Sequence, residues 1–193
     1  MTTANGALST KTSSSSFPTS TQLTRQEALL LLGLGAAIVA LVKVFDLSLK
    51  LPGHTGIVWL ALLLIGRTTS NYRWAASVSG VGSAVVSLLP LWGFGDPLKW
   101  LSFLLVAVAL DVLFNLFSRW QHAVLFLAVS GSLAHAVKPL SRILISSFTG
   151  LQYTSLLTGA LYPLAMHLLF GFIGALVGVG MVWGYRHLRN GCI

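Results

Sequence analysis

A chain of 193 residues that is 55% hydrophobic and 8% charged, with a mean hydropathy of +0.83, is excluded from the ordinary soluble domains, in which about a quarter of residues are charged. The net charge of +8 raises nucleic acid as a partner, but the 12 basic residues are dispersed among hydrophobic segments and lack the clustered face that phosphate binding needs, so no nucleic acid is expected. A single Cys192 beside the C-terminus excludes a disulfide framework and a cysteine metal site.

Residues 1–24 are rich in Ser and Thr, with the run Ser13 to Ser16, and have no apolar pattern to bury; a disordered tail is expected. A cleavable signal is not expected, because the first apolar run begins only at about Ala28 and is long enough to span. Residues 25–189 read as one membrane domain and 190–193 as a short C-terminal tail. Six hydrophobic segments fall at about 27–45, 55–67, 74–92, 98–118, 122–147 and 160–186. Each is expected to be a helix, since backbone polar groups in lipid have no other way to be satisfied. The fold class is therefore an all-α integral membrane protein, a compact bundle of six transmembrane helices embedded in a lipid bilayer.

An even number of spans puts both termini on one side. That side holds Lys11, Arg25, Arg67, Arg73, Arg119, Arg186 and Arg189, against Lys43, Lys50, Lys99, Lys138 and Arg142 on the other, where Asp46 and Asp96 also lie. Basic residues favour the cytoplasmic face, so a cell-membrane protein with cytoplasmic termini is expected, by a small margin.

The first helix carries a small-residue stripe of Gly33, Ala36, Ala37 and Ala40. The third repeats it with Ala76, Gly80 and Ala84, and the sixth with Gly171, Gly174 and Gly178. Such stripes serve internal packing or the close approach of another subunit, and both readings stand. The second segment is short: the turn Pro52-Gly53 delivers His54 to its start, and about ten apolar residues later it meets Arg67. Its His54 end is expected to be recessed among longer neighbours.

Polar residues within the membrane are costly and so informative. In the fourth segment Asp111, Asn115 and Arg119 share one face at spacings of four. A structural ladder across the bundle is preferred there over a proton or ion relay, because no other segment offers an acid at similar depth. In the outer half, a helical rise from His122 puts His135 and Lys138 about 20 to 24 Å up the fifth helix. Tyr162 and His167 descend to that depth on the sixth; Trp92 ends the third segment, Trp100 begins the fourth, and His54 enters from the first loop. Imidazoles, an ammonium and aromatic rings thus converge at one level, as a recessed small-molecule site requires. Taken singly, Trp92 and Trp100 also fit an interfacial belt, Lys138 a snorkelling lysine and each histidine a satisfied structural residue.

Enzyme motifs are missing. The chain contains no His-Glu-x-x-His, no Gly-x-Ser-x-Gly and no Gly-rich phosphate loop followed by Lys, so no catalytic residues and no ATP hydrolysis are assigned to it. The histidines lack the carboxylates or paired spacing of a metal site, and neither metal nor cofactor is expected.

In length, in six helices, in Ala36-x-x-x-Ala40 of the first helix, in the loop before a short second helix, and in the Gly-rich last helix from His167 to Ala175, the chain resembles the substrate-binding S components of energy-coupling factor (ECF) transporters. The stretches Leu51 to Arg67 and Leu98 to Asp111 are similar to uncharacterised members, and the resemblance covers about residues 27–188. It implies that a membrane scaffold subunit and a pair of soluble ATPases supply energy while this chain captures a vitamin or similar micronutrient outside. It further implies that Ala36 and Ala40, with Gly33, face the scaffold. The loop from Pro52 to Thr55 would close over substrate among the ends of the last three helices, and the bundle would topple to release it. The metal-importing branch has a His directly after the initiator Met; here Thr2 follows Met1, which disfavours cobalt or nickel.

The function expected on these grounds is capture of a small polar or aromatic nutrient, anionic forms included. The substrate residues would be His54, Trp92, Trp100, His135, Lys138, Tyr162 and His167, with Lys138 and the histidines as donors and the rings stacking. A structural or assembly subunit of a membrane complex is the alternative, and an intramembrane enzyme using Asp111 ranks third.

Overall fold

The computed structural model describes residues 20–44, 51–90, 96, 98–150, 153, 156 and 159–191. Trp92, Asp46, Lys50, Cys192 and most of the N-terminal tail lie outside them. The described chain is an all-α bundle of six helices: α1 (Arg25–Val44), α2 (Gly56–Thr69), α3 (Ala75–Ser87), α4 (Lys99–Leu116), α5 (Val124–Thr149) and α6 (Leu161–Gly191). A 3-10 turn at Ser118–Trp120 joins α4 to α5. Helices α1, α4, α5 and α6 are long and apolar enough to cross a membrane, whereas α2 and α3 are shorter apolar helices. At 1.5 Å per residue α2 is about 21 Å long and α6 about 46 Å, against a hydrocarbon layer of about 30 Å.

Helix α2 is the centre of the bundle and packs against α1, α3, α5 and α6. Its sequence is apolar all round, as a helix buried on every side must be, and Trp59, Leu60, Leu63 and Leu64 are each at most 2% exposed. The remaining helices follow one another around it, with α1 against α3, α3 against α4, α4 against α5 and α5 against α6.

Two of the three small-residue stripes are consumed inside the bundle. A Cβ on Gly174 would lie 2.7 Å from the Gly56 carbonyl oxygen, and one on Gly178 would lie 2.6 Å from that of Ala61, so α6 lies directly on the α2 backbone. On α3, a Cβ at Gly80 would collide with Ala107 of α4. The α1 face differs. The glycine that meets α3 there is Gly35, whose carbonyl accepts a hydrogen bond from Ser83 Oγ at 2.9 Å, and a Cβ on it would run into the Ser79 carbonyl. Gly33 instead lies on the outer surface with nothing within 4 Å of its missing Cβ, beside exposed Ala37, while Ala36 and Ala40 are half-buried at its flank.

The charged centre of the fold is Asp111 on α4, fully buried at 0% exposure. Its Oδ1 lies 3.0 Å from Nε of Arg67, itself 5% exposed near the end of α2. The same carboxylate accepts hydrogen bonds from the backbone N–H groups of Ala76 (3.3 Å) and Ser77 (2.6 Å). Helix α3 has no capping side chain of its own, so Asp111 reaches across the bundle to satisfy two of its orphan amides at the positive end of its dipole. One turn on, Asn115 Nδ2 donates to the Arg73 carbonyl at 3.3 Å, holding the α2–α3 connection to α4. Arg119, the third residue of the expected ladder, is exposed in the 3-10 turn, because α4 ends at Leu116 and the face it would have continued is broken. The guanidinium that joins the network is Arg67, stacked 4.9 Å from the Phe114 ring.

The same connection also binds the segment preceding α1. The Ser20 amide donates to Asn71 O at 2.8 Å, and the Arg73 amide donates to Ser20 O at 3.3 Å.

Removing Asp111 leaves the Arg67 guanidinium buried without its counter-charge and two α3 amides without acceptors. Asp111→Leu is expected to lower stability by about 3–5 kcal/mol, and Arg67→Met combined with it to recover only part of that, since the α3 amides stay unsatisfied. Unfolding curves of the three proteins in one detergent test this.

Candidate functional site

Because α2 is short, its N-terminus lies inside the bundle, and the turn Pro52-Gly53-His54-Thr55 is set among α5 and α6. Gly53 has φ +84°, a left-handed conformation that glycine adopts without strain, and it delivers the chain into α2. Irregular backbone at this depth must find hydrogen-bond partners within the protein. Within the turn, the Gly56 amide donates to Gly53 O at 2.8 Å, and His135 on α5 supplies a second donor: its Nε2 lies 3.3 Å from the same carbonyl.

His135 is held on every side. A Cβ on Gly56 would strike its imidazole, one on Gly171 would lie 2.8 Å from its Cβ, and its ring meets the Trp59 ring edge-on at 5.6 Å. The His167 ring on α6 lies 4.8 Å from it, with the planes inclined by 36°. A Cβ on Gly53 would come within 3.0 Å of the His167 ring, so the turn rests on both imidazoles. Next in the cluster is Trp59, packed on Phe103 of α4 at 4.6 Å, with the Lys138 ammonium 5.6 Å from its ring centroid. Lys138 is 8% exposed and lines a narrow crevice with Thr55, Trp59, Lys99, Ser102 and Phe103. Pro139, directly after it, has no N–H to bond the His135 carbonyl within the helix, so the α5 ladder is interrupted at the cluster.

The hydrogen-bond partners fix what the rings can offer. His54 Nδ1 lies 2.7 Å from Leu51 O, His167 Nδ1 lies 2.7 Å from Pro163 O, and His135 Nε2 is bonded to Gly53 O. A carbonyl only accepts, so each of these nitrogens carries the hydrogen, and in the neutral ring the other nitrogen is a lone-pair acceptor. Those three nitrogens, His54 Nε2, His135 Nδ1 and His167 Nε2, are buried without a hydrogen-bond partner, as is the Trp59 Nε1–H donor. The imidazoles therefore present acceptors, not the donors expected of them; donors come from Trp59 and from the ammonium groups of Lys138 and Lys99.

Of the residues singled out from the sequence, His135, Lys138 and His167 are brought together here, with His54 in the turn above them. Trp100 is half-buried in the first turn of α4 and takes no part in the ring contacts of the cluster. Tyr162 stands outside it and is 43% exposed. Five residues before His167, it lies about 7.5 Å away along α6 and points about 140° away around the helix. Trp92 lies outside the described residues. Trp59, Lys99 and Gly56 also belong to the site and are not among the sequence-derived candidates, while Gly53 and Gly171, read from the sequence as a turn and a small-residue stripe, prove to pack against its histidines. The sequence signal for Trp59 is its position: it follows Thr55 by four residues, one turn into the helix that the His54 turn opens.

Among the described residues no group of three or more His, Cys, Asp or Glu side chains has the arrangement of a metal site. No protein-family model matches the chain, and neither a curated protein nor a solved structure matches it.

The closeness of Gly56 to His135 generates a test. Gly56→Ala forces the imidazole out of its seat against Trp59 and is expected to destabilise the protein by about 1–3 kcal/mol. Gly33→Ala, at a position with open space, is expected to change stability little. Thermal unfolding of both variants, side by side, makes the comparison.

Proposed function

We propose that this chain is the substrate-capturing membrane subunit of an ECF-type importer, and that the His135–His167–Trp59–Lys138 cluster beneath the Gly53 turn is its binding site. The observation that carries the reading is the contiguous set of buried ring nitrogens without partners on Trp59, His135 and His167, with that of His54 in the adjoining turn, next to a crevice lined by Lys138 and Lys99. Unsatisfied polar groups within a membrane bundle are costly, and their concentration at one place is what a polar ligand would offset. The ligand that fits has N–H or O–H donors for the imidazoles, an acceptor or anionic group for Lys138 and Lys99, and a flat portion for Trp59. A small heteroaromatic nutrient bearing a carboxylate or phosphate meets all three demands. The crevice is too narrow for such a molecule while the turn rests on the two imidazoles, so binding requires residues 51–55 to lift, with Gly53 as the pivot.

The exposed face of α1 supports the second half of the proposal. Gly33 and Ala37, flanked by Ala36 and Ala40, form the small-residue stripe that internal packing leaves on the surface, and a scaffold subunit would dock there. Energy would come from separate ATPases. The basic residues gathered at the end shared by the termini favour a cytoplasmic location for it in the cell membrane. A structural or assembly subunit is the second reading, and it is favoured by one observation: His135 is seated so tightly between Gly56, Gly171 and Trp59 that its role can be to satisfy the Gly53 carbonyl alone.

Native mass spectrometry of gently extracted protein separates these readings. A small molecule bound one-to-one, reduced at least tenfold in Lys138→Ala with the protein still folded, is the expected result. A chain that carries no such molecule and remains in a stable assembly without ATPases would overturn the proposal and establish the structural reading.

A further inference from the structure

The opposite end of the bundle carries a second set of features that the substrate reading does not use. Trp120, Trp183 and Tyr185 are 59%, 77% and 65% exposed there, alongside exposed Arg119, Arg186 and Arg189. Exposed aromatic and basic residues at one level mark the headgroup layer of a bilayer. Two grooves open at this level on either side of Arg186. One, of about 240 Å³, runs between the start of α5 and the last third of α6, with Thr68, His122 and Arg186 at its polar end and Val124, Leu127 and Val179 along its walls. The other, of about 420 Å³, runs between the end of α2 and α6, with Arg186 and Arg189 at its polar end and Ile65 and Met181 along its walls.

Arg186 and Val182 line both grooves, and Arg186 Nη2 donates to the Thr68 carbonyl at 3.2 Å, which orients the guanidinium at the junction. The charge of this end is positive: Arg25, Arg67, Arg73, Arg119, Arg186 and Arg189 stand against two described carboxylates, Glu27 and Asp111, which are bonded to Ser70 and paired with Arg67.

We propose that this junction is a binding site for an anionic diacyl phospholipid, with its phosphate at Arg186, assisted by Arg189 and His122, and one acyl chain in each groove. Two apolar grooves diverging from one guanidinium match the branching of a diacyl lipid, and a planar arginine fork matches the phosphate. A free phosphate ion would use the same arginines but leave both apolar walls without an occupant. The site is at the far end of the bundle from the His135 cluster and stands independently of what that cluster binds.

The test uses the full-length protein, delipidated in a neutral detergent and titrated with phosphatidylglycerol, phosphatidylcholine or inorganic phosphate, with bound lipid counted by native mass spectrometry. One phosphatidylglycerol per chain is expected to bind at least tenfold more tightly than phosphatidylcholine. Arg186→Gln is expected to weaken phosphatidylglycerol binding about fivefold and to leave phosphatidylcholine unchanged. Arg189→Gln and Val124→Trp alter exposed positions and keep the test sound if Arg186→Gln does not fold: the first should weaken the anionic lipid selectively, the second should weaken both lipids by filling a groove. Equal affinity for the two lipids, indifference to both arginine substitutions, or full competition by inorganic phosphate at low millimolar concentration would overturn the proposal.

Discussion

A carboxylate inside a membrane bundle must be surrounded by partners, and Asp111 draws its partners from two other helices: the guanidinium of Arg67 on α2 and two backbone amides at the start of α3. Each contact has a different geometry, so together they fix how far α2 and α3 slide along α4. Hydrophobic packing alone sets that register weakly, because apolar helix surfaces in lipid gain little from one sliding position over another. The glycine contacts then lock the other side of α2, where Gly174 and Gly178 bring α6 onto its backbone. A short helix is thus held in both position and depth by a charged anchor at one end and close backbone packing along its length.

The depth of α2 determines the chemistry at its other end. Its 14 residues begin level with His135 of α5 and Gly174 of α6, well short of where α5 ends and α6 begins, so the Pro52–Thr55 turn is irregular backbone set within the bundle. Such backbone needs donors and acceptors from its surroundings, and the imidazole of His135 is one of them. Each histidine of the cluster gives its ring hydrogen to a carbonyl and keeps a lone pair facing inward. The same constraint therefore produces a structural bond and an unsatisfied acceptor on a single side chain, which is why stability and binding are entangled at this site. Gly56 and Gly171, which leave room for the His135 ring, belong to both roles at once.

Depth was legible in the sequence, and azimuth was not. The apolar segments located six helices, and Pro52-Gly53 followed closely by Arg67 marked α2 as short. Counting rise per residue brought His135, Lys138 and His167 to one level. The same count brought Tyr162 there, yet the direction a side chain takes around its helix depends on neighbours that a sequence does not display. Gly33 and Gly35 make the point again: both lie in the same small-residue run, but only Gly35 meets α3. Asp111, Asn115 and Arg119 share a face on paper, whereas the actual partner of Asp111 is Arg67, distant in sequence and concealed as the apparent end of an apolar run. For Trp59 the sequence offers only its place one turn into the helix that the His54 turn opens; nothing in an apolar run says that its ring will meet the His135 imidazole.

The disparity in helix length has an elastic consequence. Helix α3 lies at the surface with Val81 and Val85 exposed, and its 13 residues span about 20 Å, roughly 10 Å less than the hydrocarbon layer. Lipid against that face must thin to keep its tails covered, while lipid against α6 meets a helix longer than the layer. The protein thus imposes a lopsided dimple on its membrane, at a cost of fractions of a kcal/mol per ångström of mismatch. Two molecules that turn their α3 faces toward each other share one dimple instead of making two, so the membrane itself draws such molecules together without any side chain of one touching the other.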